Sequence, residues 1–115
     1  MVNPALLAAL VRQVRPDLAV VERVGAMPGN GSVAMFRFGT AFGIILGVLA
    51  AAGVPFLLIS PNVWKKAVGL SKDKDASRTM ALQHYPDAAL FLARKKDHGR
   101  AESLMLAHFQ FSKRQ

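Results

Sequence analysis

Residues 39–63 read GTAFGIILGVLAAAGVPFLLISPNV, a run without a single charge, and the fold class turns on where that run is broken. Unbroken, it is a candidate membrane span, because about 20 apolar residues carry a helix across a bilayer. Gly39, Gly43 and Gly47 also satisfy the small-xxx-small spacing of paired membrane helices. The stretch Ala52-Gly53-Val54-Pro55 argues for a break. Proline cannot continue a helix, and glycine beside it marks a turn. The run then divides into a helix up to Ala52, a turn, and a buried strand over Pro55 to Ile59, with each half too short to span.

Working outward towards the N-terminus, a long helix is expected from about Val33 to Ala52. Its three glycines share one face, expected to pack closely on a sheet or on a partner subunit. GAMPGNGS, residues 25–32, is a loop by composition. In DLAVVERV, residues 17–24, the apolar run Leu18 to Val21 has the character of a strand buried on both faces. Asn3-Pro4 is a helix cap and first turn, and Leu6, Leu7, Leu10, Val11 and Val14 recur at helical spacing as far as Pro16.

Towards the C-terminus, Ser60-Pro61 opens a short helix through VWKKAVGL. KDKDASRTMALQHYPDA, residues 72–88, holds another that ends before Pro86. FLARKKDHG connects to a terminal helix from about Gly99 to Phe111. The two strands should be parallel, joined by a right-handed crossover helix, which makes residues 1–115 an α/β domain with one core. Two strands are few for a stable sheet, which usually needs three or more. Further strands are therefore expected before Met1.

Fifteen Lys and Arg against seven Asp and Glu give a formal charge of +8, so polyanions are the expected partners, nucleic acid ahead of anionic membrane. The chain has no cysteine, which excludes disulfides and thiolate metal sites and leaves oxygen and imidazole ligands, the set that suits Mg²⁺ or Mn²⁺. The first residues lack the pattern of a signal peptide, so a cytoplasmic location is expected.

Candidate chemistry sits in two places. Glu22 follows the first strand, and ligands of open α/β sheets bind beyond the carboxyl ends of strands; a solvated strand end is the alternative. KKDHGRAESLML, residues 95–106, is the second place. His98 and Glu102 lie four residues apart on one helix face, whereas Asp97 can reach the same point only from the turn before the helix. Here Asp97 as a helix cap and Glu102 as a surface acid are the plain alternative. A hard divalent cation would suit the same carboxylates. Lys65, Lys66, Lys72, Lys74, Lys95, Lys96 and Arg100, with Arg37 beyond the loop, are candidates for neutralising a phosphate backbone. Trp64 is expected to pack rather than to stack on a base, and His84 and His108 are expected to be structural.

Glu22, the glycine-rich loop, MFRFGTAFGIILGVLAAAGVP, PNVWKKAVGL, KDKDASR and KKDHGRAESLMLA, in that order, resemble the RuvC-like Holliday-junction resolvases, most of all their phage and bacterial branch. The resemblance covers about residues 3 to 109. It implies a three-layer RNase H-like fold, a homodimer, Mg²⁺ or Mn²⁺ dependence, no membrane, and cleavage of phosphodiester bonds at four-way DNA junctions in recombination and repair. By position it makes Glu22 and Glu102 metal-binding catalytic acids, with Asp97 or His98 supplying the remaining ligand, and Lys65 and Lys66 part of a DNA-contacting segment. Family members begin with an aspartate-bearing strand that has no counterpart here, and Asp17 enters its strand at the wrong end to replace it. Impaired cleavage is therefore expected. A non-catalytic basic DNA-binding module is the alternative function, and a membrane anchor over residues 39–63 the third.

Overall fold

The computed structural model of the chain describes residues 2–23, 25, 29, 31–73 and 75–113. It is mixed α/β, consistent with part of an RNase H-like fold. The chain forms two compact units, Met1–Ile59 and Ser60–Gln115.

In the first unit the order is helix α1 (Pro4–Val14), strand β1 (Ala19–Glu22), helix α2 (Ser32–Ala51) and strand β2 (Phe56–Ile59). The Asn3 side chain caps α1 by accepting the Leu6 N–H at 3.1 Å. Arg15, in the left-handed region at φ 51°, ends it before Pro16. The expected break after α2 is made by Gly53, whose φ of 73° admits a sharp reversal that a side chain would strain. The strands pair in parallel, Ala19 opposite Phe56 through to Glu22 opposite Ile59. Val11, Leu49 and Val54 form the buried centre, with Leu7, Ala19, Val21, Ile45, Val48 and Phe56 packed against it.

Four expectations are corrected in this unit. The strands are half-buried rather than closed on both faces, and Leu57 and Leu58 are exposed, because a pair of strands buries little more than the face its own helices cover. Glu22 is the last residue of β1 rather than the residue after it. Helix α2 starts at Ser32, so at 20 residues it is long and apolar enough to cross a membrane by length and composition; the break falls after the span, not within it. Gly39, Gly43 and Gly47 meet nothing within 4 Å where a Cβ would stand, so the close packing on the sheet is not made. Most of the loop over residues 25–32 lies outside the described residues.

The second unit comprises α3 (Pro61–Val68), α4 (Ala76–His84), a 3₁₀ turn over Pro86–Phe91, another over Lys95–Asp97, and α5 (His98–Lys113). The two 3₁₀ turns replace the irregular connection expected there. Gly69, at φ 75°, ends α3 by sending its N–H back to Lys66 and letting Leu70 bond Lys65. Trp64, Ala81, Leu92, Ala101, Met105, Leu106 and Phe109 are its buried apolar residues. Trp64 is 1% exposed, which settles its role as packing and removes it as a stacking platform.

Candidate nucleic-acid interface

Helix α5 begins at His98, and its 3.6-residue repeat puts Glu102 one turn above His98 on the same face. Both line a cleft of about 710 Å³ with Lys65 and Lys66 from α3 and Lys72 from the α3–α4 connection. Asn62, Leu70, Ser71, Asp73 and Ser77 complete the wall. Five of the residues singled out in the sequence therefore meet in one cleft. The Glu102 carboxylate, about one-third exposed, lies 3.8 Å from the Lys65 ammonium. At that distance and exposure the pair is weak, and both groups remain available to a ligand. Ser77 is buried and donates to the His98 carbonyl at 3.4 Å, fixing the start of α5 against α4.

Asp97 stands immediately before α5, as expected, but its carboxylate is 5% exposed and turned back on Arg94. Oδ2 accepts the Arg94 backbone N–H at 3.0 Å and Nε at 3.3 Å, and Oδ1 accepts Nη2 at 3.0 Å. The Arg94 guanidinium and amide hold its pKa below the ordinary carboxyl range against the opposing effect of burial, helped by the nearby charge of Arg100. Asp97 is thus neither a forward helix cap nor an unengaged ligand. It organises the turn that presents Arg94, Lys95, Lys96 and Arg100, all exposed.

The donor set in this unit does not fit a divalent cation as arranged. Both oxygens of Asp97 are already neutralised by a guanidinium, which a cation would have to displace. Among the described residues no three His, Asp or Glu side chains come together to hold a metal. The arrangement does fit a phosphate: three lysines around an open cleft supply positive charge, and Asn62, Ser71 and the helix-start residues supply hydrogen-bonding groups.

Glu22 and Arg37 belong to the first unit. Glu22 ends β1 half-buried, and exposed Arg37 lines a separate hollow with Val2, Phe38 and Ala41. Lys74 lies outside the described residues. The structure places His84 and His108 with ring centroids 4.4 Å apart, and the Tyr85 hydroxyl 2.7 Å from His108 Nδ1, which agrees with their structural assignment.

Sequence reasoning passed over Arg78. Its Nε and Nη2 donate to the carbonyls of Leu92 and Ala93 at 2.8 and 2.9 Å, while Nη1 pairs with Asp75. It thereby ties α4 to the chain leading into the basic turn. The i, i+3 spacing to Asp75 was the only local signal; the carbonyl contacts, fourteen and fifteen residues away, leave no trace in sequence.

Over 89 residues, 76% of this chain, the sequence is 35% identical to Holliday junction resolvase MOC1, chloroplastic, of Chlamydomonas reinhardtii. The chain spans about a tenth of the length of this curated relative, 10% of it. No family model matches the chain. The similarity supports the resolvase family.

Proposed function

We propose that the chain is a RuvC-like Holliday-junction resolvase by descent, which binds four-way DNA junctions through the lysine-lined cleft and cleaves them weakly. The observation that carries this reading is the meeting of Lys65, Lys66 and Lys72 with His98 and Glu102 in one cleft, on a chain similar to a junction resolvase. Lysines neutralise phosphates without reading bases, which suits a substrate defined by its branching rather than its sequence.

Cleavage in this reading depends on Mg²⁺ or Mn²⁺, for which Glu102 and His98 on one face of α5 are the carboxylate and imidazole left unclaimed by Arg94 in the second unit. Asp97 is neutralised by Arg94, and weak cleavage is the consequence of a ligand set reduced in this way. Homodimeric action on DNA in the cytoplasm, without a membrane, completes the proposal. The test is a synthetic four-way junction incubated with the full chain, with and without Mg²⁺. Junction binding that exceeds duplex binding, with slow Mg²⁺-dependent nicking, is the expected result. Rapid symmetric nicking would refute the impairment, and equal affinity for junction and duplex would refute the substrate.

A second reading has its own observation. Of the side chains on α2 only Leu49 is buried, so although its C-terminal half supplies part of the unit's core through Ile45, Val48 and Leu49, most of this apolar helix stands outside that core, and a bilayer is one environment that would cover it.

A further inference from the structure

The tip of the 3₁₀ turn Pro86–Phe91 carries two large apolar side chains into solvent: Leu90 is 90% exposed and Phe91 64%. The adjacent Leu92 is 2% exposed, so the chain dives into the core one residue later. A bare apolar tip on a loose loop would mean little, but this one is clamped at both ends. At its start, Tyr85 reaches the imidazole of His108 on α5 at 2.7 Å, and Pro86 fixes the first backbone angle. At its end, the Arg78 guanidinium holds the carbonyls of Leu92 and Ala93. The Arg100 guanidinium also stands 3.5 Å from the Phe91 carbonyl, which sets a cation beside the tip, and Arg94, Lys95 and Lys96 follow within five residues, all exposed.

We infer that Leu90 and Phe91 form a wedge that enters an opened base step at the branch point of a DNA junction, while the neighbouring cations hold the flanking phosphates. This inference rests on the junction-binding reading above and adds the part of the substrate that the lysine cleft does not read. Proteins that unstack DNA insert leucine or phenylalanine between bases from a rigid support, and compensate the lost stacking with phosphate contacts. A phenyl ring offers a face to any base, so such a contact recognises an opened step and not a sequence. The surrounding charge selects a polyanion as the occupant of this apolar tip rather than a neutral protein surface. At a branch point the arms can exchange stacking partners, so a step there costs less to open than one inside a continuous duplex.

The experiment uses the full chain, a four-way junction carrying 2-aminopurine at the branch point, and a linear duplex of the same sequence. The wild type should raise the 2-aminopurine fluorescence and prefer the junction. Leu90→Ser with Phe91→Ser should remove the fluorescence change and reduce the junction preference by roughly tenfold, with duplex affinity kept within about twofold because its phosphate contacts remain. Phe91→Trp should retain both properties and shows, with an unchanged far-ultraviolet circular dichroism spectrum, that the fold is intact; if the double variant does not fold, Phe91→Ser against Phe91→Trp decides. A folded serine variant that keeps the fluorescence change and the preference overturns the wedge alone. A wild type that does not distinguish junction from duplex overturns the junction-binding reading and the wedge with it. Phosphatidylserine vesicles that bind the wild type but not the serine variant, with junction preference unchanged, assign the tip to a membrane surface and also overturn the wedge.

Discussion

At the residue scale, Asp97 shows how one ion pair fixes a pH dependence. Its folded pKa lies below the ordinary carboxyl range because Arg94 bonds both oxygens, so in acid the unfolded chain takes up the proton first. The stabilisation is complete above the ordinary carboxyl range and is lost as pH falls through the lower, folded value. Asp97→Asn should accordingly lower the melting temperature at pH 7 and flatten its fall between pH 5 and 3 (about the carboxyl range), as read by thermal unfolding. Trp64→Ala should cost about 3 to 5 kcal/mol in denaturant unfolding, whereas an exposed stacking residue would cost almost nothing. Glu102→Gln separates the two DNA readings. Removing this negative charge from a basic cleft should leave junction affinity equal or higher, and any Mg²⁺-dependent nicking should disappear. The spacing of His98 and Glu102 was legible in sequence because a helix repeat is local. The engagement of Asp97 was not, since a DH pair reads the same whether the acid faces a cleft or an arginine.

Helix α2 is the element whose surroundings matter most. It starts after an extended Gly31 without a side-chain cap and ends at the Gly53-containing turn, and its apolar length follows from composition. What covers it does not follow from either. Gly43 has open space where a Cβ would stand, so on a helix exposed to water Gly43→Ala should raise unfolding free energy by about 0.5–1 kcal/mol. If a partner subunit or a second membrane helix packs against that face, the same change should destabilise the assembled state instead. Measuring the variant with and without detergent, beside the solubility of the wild type in detergent-free buffer, distinguishes a water-facing helix from a membrane one. The 3₁₀ turns over Pro86–Phe91 and Lys95–Asp97 are the elements sequence periodicity does not announce, because a single tight turn is too short to show a repeat.

At the scale of the whole molecule, the charge of +8 is what favours a polyanion in the proposed function, and the lysine-lined cleft is its proposed place of binding. If Lys65, Lys66 and Lys72 each contact a phosphate, replacing all three by Ala should weaken binding to junction and duplex alike. The slope of log affinity against log salt should fall by about 0.9 per lysine; an unchanged slope in a salt titration would show that the DNA path lies elsewhere. The sequence by itself determined the helices, the two parallel strands, the turn that separates α2 from β2, the lack of thiol chemistry and the net positive charge. These depend on spacing, on proline and glycine geometry and on summed charge, all of which are written locally along the chain. Only the tertiary structure decided that Lys72 joins Lys65, Glu102 and His98 in one cleft, that Arg94 consumes the charge of Asp97, and that Leu90 and Phe91 stand clear while Leu92 is buried. Those facts depend on which residues of distant segments share a space, and no period or motif encodes that before the helices pack.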